Sequence, residues 1–336
     1  MIKRIGFACK WSDVTPKGIV ADPELNNSTT TVAWLKRQTR EVAEQKLWDL
    51  MTHNTEAVYK LVQRIGALDG RLRMVRLGSD ILPVYTEPNF GYFYNDQTVK
   101  SFCEKAFSKI GDLARRNDVR LSFHPGQFTV LASDRPDVVE RSIEEFEYHV
   151  DMIRWMGYGR KFQDFKCNVH IAGKLGHEGI RTAYKKLSPE ARNTITIENE
   201  ENAHGLDDCL NLRDLLPIVL DIHHHWCREG EYISPSDPRV QMVRESWRDV
   251  RPTLHYSVSR EDYLDLHGRD VMPDMTTLLE SGHKKQKLRA HSDFYWNTAV
   301  NQWALSFYDD FDIMCESKAK NLASFALLKE ITQQSF

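Results

Sequence analysis

Eight short apolar runs punctuate the chain, and most are followed by stretches whose apolar residues fall three or four positions apart. The runs occupy 2–9, 72–80, 119–126, 166–173, 194–200, 217–223, 252–257 and 312–316. Their length and alternation predict strands, and the three-to-four spacing between them predicts helices. The clearest helical stretches are 31–68, 97–117 and 138–155, the last opened by Pro136 and Asp137. Strand and helix alternating eight times predicts an α/β fold, a single (β/α)8 TIM barrel running from 1 to 336. A doubly wound open sheet shares that pattern, and periodicity alone does not separate the two. No linker, repeat or second domain is visible; the polar segments 228–247 and 261–290 read as loops over one rim.

Side-chain parity sharpens the picture. Val119, Leu121 and Phe123 alternate with Arg120, Ser122 and His124, and Phe165, Cys167 and Val169 with Lys166, Asn168 and His170. Thr194, Thr196 and Glu198 oppose Ile195 and Ile197 in the same way. Successive strand side chains point to opposite faces, so each strand offers an apolar face to the helices and a polar one to the barrel interior. A polar interior is costly unless its groups are satisfied, and metal ions would satisfy them.

Composition narrows the class of protein. The chain has 336 residues, of which 41% are hydrophobic and 28% charged, enough for one sizeable core. The first six residues, interrupted by charge and Gly6, do not read as a secretory leader, and no apolar run reaches membrane-spanning length. Six scattered cysteines without a CxxC pair predict reduced thiols and a cytoplasmic protein. A formal net charge of −3 argues against a globally basic nucleic-acid binder, so any DNA-facing positive surface must be local.

The strand ends carry the chemistry. The third strand ends in His124, the fourth in His170, the fifth in Glu198, the seventh in His255 and the eighth in Glu316. The sixth brings Asp221 with His224 just beyond, and His291 and Asp293 follow the seventh. Barrel enzymes place their sites at the C-terminal ends of strands, where such residues form one ring. Imidazole and carboxylate without thiolate suit Mn, Fe or Zn, and the number of ligands suggests two or three divalent ions. Glu198 and Glu316 are the bridging candidates. If Asp221 points inward, simple alternation turns His224 outward, which leaves His223, His224 and His225 as alternatives. His149 reads as helix surface or packing, His177, His204, His267 and His283 as loop or helix-end residues, and Trp226, Trp247 and Trp296 as packing residues.

The segment Arg120-Leu121-Ser122-Phe123-His124-Pro125-Gly126-Gln127-Phe128, with residues 138–143, resembles the signature of UV-damage endonucleases. So do the segments 169–173, 196–200, 221–224, 255–257, 289–293 and 314–318, in order along nearly the whole chain. The resemblance implies a barrel like that of endonuclease IV and the xylose-isomerase-like enzymes, and up to three divalent metals, commonly Mn2+, with Zn2+ or Fe2+ as alternatives. It implies incision 5′ to cyclobutane pyrimidine dimers, 6-4 photoproducts and abasic sites in double-stranded DNA. It carries the metal-ligand role to His124, His170, Glu198, Asp221, His224, His255, His291 and Glu316, with Glu198, Glu316 and His255 as catalytic residues. Gln127 and Phe128 match the pair that probes the duplex at the lesion, where an amide and a ring occupy space left by unstacked bases.

Three positions depart from that family pattern. Glu87 stands where a His is usual, Thr253 where a Lys often lies two residues before the seventh-strand His, and Phe7 where a Tyr is common. Phe7 and Glu87 are still expected near the DNA, and Lys174, Arg260, Lys318 and Lys320 lie where a phosphate backbone would pass. A monomer without an obligate protein partner or membrane is expected. Two other readings remain open: a sugar isomerase or epimerase with a single ion per chain, and a lesion-binding protein that never nicks.

Overall fold

A computed structural model describes residues 2–333. Its strands are β1 (Ile5–Ala8), β2 (Ser12–Thr15), β3 (Gly18–Ala21), β4 (Met74–Arg76), β5 (Arg120–Phe123), β6 (Lys166–His170), β7 (Ile195–Glu198), β8 (Ile218–Val219), β9 (Thr253–Tyr256) and β10 (Asp312–Cys315). Eight of them pair in parallel in the order β8-β7-β6-β5-β4-β1-β10-β9. The two ends of that row meet: Asp221 bridges His255 in parallel, and the His255 amide donates to Leu220 O at 3.0 Å. The sheet therefore closes into a barrel, and the open-sheet alternative falls away.

The parity pattern holds in three dimensions. Leu121, Phe123, Cys167, Val169, Ile195 and Ile197 join the apolar core between strands and helices. Their polar neighbours face one another inside the barrel, where Thr196 Oγ1 donates to Asn168 Oδ1 at 2.7 Å and Asn168 Nδ2 donates to Glu198 Oε2. Gly6 is one reason the interior closes, because a Cβ there would lie 2.7 Å from Met74 O.

Other expectations need revision. The stretch 31–68 is two helices, Val32–Leu35 and Arg40–Gly66, because Thr31 caps the first by accepting from Trp34 N and Thr39 caps the second by accepting from Val42 N. The hairpin β2–β3 was not expected; Gly18, at φ +108°, supplies the left-handed residue its turn requires. The two rim segments are not plain loops, since they contain helices Pro238–Ser246, Met275–Glu280 and Lys285–Leu288. Among the described residues no helix is long and apolar enough to cross a membrane, and all six cysteines are free.

His149 is wholly buried in the helix Pro136–Trp155, edge-on to Phe123 with ring centroids 5.3 Å apart. Burial pushes its pKa down to about 4, although a bond to Glu145 O opposes the shift. A depressed histidine stabilises the fold above its ordinary 6.5, and that contribution is lost as pH falls through 4. The upper bound is roughly 3 kcal/mol. His149→Phe keeps a ring against Phe123, so we expect urea unfolding to show a shallower loss of stability between pH 6.5 and 4 than in the parent. Equal losses in both proteins would dismiss the idea.

Candidate metal centre

The C-terminal mouth gathers the strand-end residues into three overlapping groups, each with ligand atoms mutually within 4.8 Å: His124, His170 and Glu198; Glu198, Asp221 and His224; and Asp221, His255 and Glu316. Glu198 and Asp221 each belong to two groups, so the three form a chain.

Glu198 is its hub. Oε2 lies 3.1 Å from His124 Nε2 and 3.1 Å from His255 Nδ1, and Oε1 lies 3.4 Å from His224 Nδ1. Burial alone would raise this carboxyl, but His255, His170 and His124 outweigh it and hold Glu198 well below the usual carboxylate range. Glu316 follows the same logic: burial raises it, and Arg76, in direct contact, and His255 bring it well below. Asp221 goes the other way. Burial raises it, His224 opposes, and the charges of Glu198 and Glu316 add to the rise, which reaches about 8. Of the three carboxyls, Asp221 alone is left without enough neighbouring positive charge to ionise readily.

The imidazoles are set for ligation. His124 Nδ1 donates to Pro125 O at 3.0 Å, which leaves Nε2 bare, 3.1 Å from His170 Nε2. Two ring nitrogens that close need a proton or a cation between them. Burial pushes His124 down to about 4, so it is a neutral ligand at neutral pH. His170 is raised, because Glu198 and Glu200 outweigh its burial. His255 is lowered by burial, with Glu198 opposing. Among the residues of the three groups, three buried atoms find no hydrogen-bond partner: Glu198 Oε1, Asp221 Oδ2 and His255 Nδ1. They are all electron-pair donors or become so on losing a proton, which is the donor set a hard divalent cation requires. The residues fit metal ions.

The choice among the three consecutive histidines follows from capping. β8 ends at Val219, and Asp221 becomes the N-cap of helix Ile222–Glu229, accepting from His224 N at 2.6 Å. That turn brings His224 inward, where strand alternation would have turned it away. His223 stacks on Trp226 and lies edge-on to His291, and His225 pairs with Glu231 at 3.2 Å.

Several sequence candidates fall outside the three groups. His291 borders them: Nδ1 donates to Glu316 O at 2.7 Å, its other ring nitrogen faces Ser257 Oγ at 3.3 Å, and the charges of Glu316 and His224 act on it. Phe7 is buried edge-on to Trp11, so it does not reach a duplex; on β1 it shares the parity of Ile5, which faces the helices. Glu87 belongs to none of the three groups, and its carboxylate accepts from Asn89 N and Nδ2, both at 2.7 Å. Lys174 is paired with Asp134 at 2.9 Å and Arg260 with Asp262, so neither cation is free at the rim. Lys318 is exposed, as are Gln127 and Phe128, whose ring is 85% exposed at the tip of the loop after β5. Lys320 is half-buried, and burial lowers its pKa.

Some site residues escaped the sequence reading. Arg76 ends β4 as the ligands end their strands, and its contact with Glu316 shows why a cation stands in that place. Asn199 holds Asp221 on both sides, with Nδ2 donating to Asp221 O and Oδ1 accepting from Asp221 N. Lys166 Nζ lies 2.9 Å from His255 Nε2, and burial pushes this lysine down to about 7. Parity had already placed Lys166 inside the barrel; only its reach across to β9 was unreadable.

Comparison with known proteins places these features in a family. A model described as UV-endonuclease UvdE matches residues 3–335. The chain is 25% identical over 316 residues to the UV DNA damage endonuclease of Bacillus cereus (strain B4264), covering 90% of this chain and 89% of that protein. The protein of the same name from Bacillus thuringiensis subsp. konkukian (strain 97-27) is similar to the same extent, at 25% identity. Among solved structures, SacUVDE is similar with a TM-score of 0.74 and 21% identity, over 99% of both chains. Endonuclease IV from Thermus thermophilus is similar with a TM-score of 0.53 and 13% identity, over 81% of this chain and 94% of that one. Both likenesses concern the barrel fold.

Proposed function

The chain belongs to the UV-endonuclease UvdE family, and from that premise we propose that it is a metal-dependent DNA-repair endonuclease. Its substrate is double-stranded DNA carrying UV photoproducts, cut on the 5′ side of the lesion, with abasic sites as a further substrate. The single observation that carries this reading is the chain of three ligand groups linked through Glu198 and Asp221. The cofactor we infer is a cluster of two or three divalent ions, Mn2+ in the first instance, held by His124, His170, Glu198, Asp221, His224, His255 and Glu316. Such ions supply a Lewis acid for the phosphate and lower the pKa of water.

The protein's own residues do the positioning. Arg76 fixes one Glu316 oxygen, and Asn168 and Asn199 fix Glu198 and Asp221, so the carboxylates meet incoming charge without reorganising. Glu198 and Asp221 link neighbouring groups, and the neutral imidazole of His124 offers its lone pair without first losing a proton. His291 acts as a neighbour that braces the end of β10. The barrel works as one domain and as a monomer, and six free thiols suit the reducing cytoplasm.

Lesion recognition falls to the loop after β5. An exposed aromatic of this kind occupies space opened by unstacked bases, and damaged steps unstack at lower cost. Phe128→Ala should lower nicking of UV-irradiated supercoiled plasmid by roughly 10-fold to 100-fold, on the scale of a few kcal/mol for unstacking, while leaving the metal content unchanged. A variant as active as the parent would remove Phe128 from recognition. The decisive experiment incubates purified protein and Mn2+ with irradiated and untreated plasmid. Damage-dependent nicking that vanishes with EDTA and in His170→Ala supports the assignment; binding without nicking, or equal nicking of both plasmids, overturns it.

A further inference from the structure

The opposite end of the barrel holds a second concentration of charge that metal binding does not use. A cavity of about 410 Å³ opens at the N-terminal ends of β5, β6 and β10, and Arg4, Arg120 and Arg251 line it, with the stem of Lys166, whose Nζ is turned to His255. Three carboxylates lie along the same wall, but they are largely taken up. Asp164 accepts from three backbone amides, Gly159 at 2.7 Å, Arg160 at 3.2 Å and Lys161 at 3.1 Å. Asp118 pairs with Arg4 at 2.6 Å. Asp312, fully buried, is shared between Arg120 at 2.6 Å and Arg251 at 2.7 Å. With Asp164 held by backbone amides, the three guanidiniums share two carboxylates. Burial lowers the Arg120 pKa; Asp312 opposes this, but Arg4 and Arg251 reinforce it by repulsion.

Two buried atoms of cavity-lining residues also lack partners. Arg4 Nε is a donor without an acceptor, and Gln163 Oε1 an acceptor without a donor. Buried polar atoms are rarely left so. A phosphate dianion brings acceptor oxygens for guanidinium groups; free monohydrogen phosphate also carries one hydroxyl that can donate, whereas a 5′-monoester has none and must donate from its sugar or base. Tyr158 and Phe165 form an apolar flank of the same cavity, which has room for more than the phosphate alone.

We propose that this basal cavity is an anion site, separate from the metal centre, which takes a phosphate dianion either free or as the 5′-phosphate of a mononucleotide. Arg4 and Arg120 are its anchors. Arg4 is the cation most open to testing, because its side-chain ion-pair partner, Asp118, is itself exposed.

The test titrates the full chain calorimetrically in excess EDTA, so that no phosphate binds through metal at the mouth. One arm uses inorganic phosphate and the other thymidine 5′-monophosphate, at constant ionic strength. One anion per chain is expected, weakened at least tenfold in Arg4→Gln. Asp118→Asn removes the competing carboxylate and should tighten binding at least threefold, and it keeps the test open should Arg4→Gln fail to fold. A nucleotide held tenfold more tightly than phosphate assigns the apolar flank to the nucleoside; equal affinities assign the site to free phosphate. No binding in EDTA, or binding that both variants leave within twofold of the parent, overturns the proposal.

Discussion

Glu198→Gln is expected to lower the rate of damage-dependent nicking by roughly 10³-fold or more, since metal ions contribute several kcal/mol and each 1.4 kcal/mol is about tenfold. The substitution preserves volume but replaces one carboxylate oxygen with an amide that donates and cannot ligate. Both oxygens matter, because one faces His124 and His255 at 3.1 Å and the other faces His224 at 3.4 Å. Two of the three ligand groups lose a member at once. The fold should survive, because the remaining oxygen can still accept from Asn168. Initial rates of nicked-circle formation, metal content by elemental analysis and far-UV circular dichroism together check this. A folded variant with full metal content and activity within tenfold of the parent would remove Glu198 from the centre.

Asp221→Asn should produce opposite effects on stability and activity. Without metal, Asp221 is raised by burial and by the charges of Glu198 and Glu316 from its ordinary 3.8 to about 8. A carboxyl raised on folding contributes stability that is complete below 3.8 and is lost as pH rises through 8. Asn is neutral throughout and keeps the oxygen that caps His224 N, so the metal-free variant avoids that loss. Its advantage over the parent should grow across this window, by at most about 1.4 kcal/mol per pH unit. With metal the order reverses, because the parent gains binding energy that the variant forfeits at two of the three groups. Nicking should fall roughly 10³-fold, on the same basis as for Glu198. Thermal unfolding in EDTA at pH 6 and pH 8, repeated with Mn2+, decides the matter. A variant less stable than the parent in EDTA at pH 8 would contradict the charge account.

The sequence made much of this visible. Alternation along 119–124, 165–170 and 194–198 separated an apolar outer face from a polar interior, and the same parity placed His124, His170 and Glu198 on the inside. That inference is local, because a strand dictates the side of every second residue wherever it sits. Segments outside strands escape it. The inward turn of His224 depends on Asp221 ending a strand and capping a helix, a change of period within three residues. Sequence records charge but not partners: folding sets Asp262 against Arg260 and Asp134 against Lys174.

By itself the sequence determined the layered α/β pattern, the interior parity and the supply of imidazole and carboxylate at strand ends, since each follows from side-chain type and periodicity along one strand. Only the tertiary structure decided that β8 meets β9 through Asp221 and His255, that Glu198 and Asp221 are each shared, that His291 hydrogen-bonds to Glu316 O, and that Lys166 reaches across to His255. These are distances between residues tens to hundreds of positions apart, fixed by barrel closure and register, and no local preference encodes them.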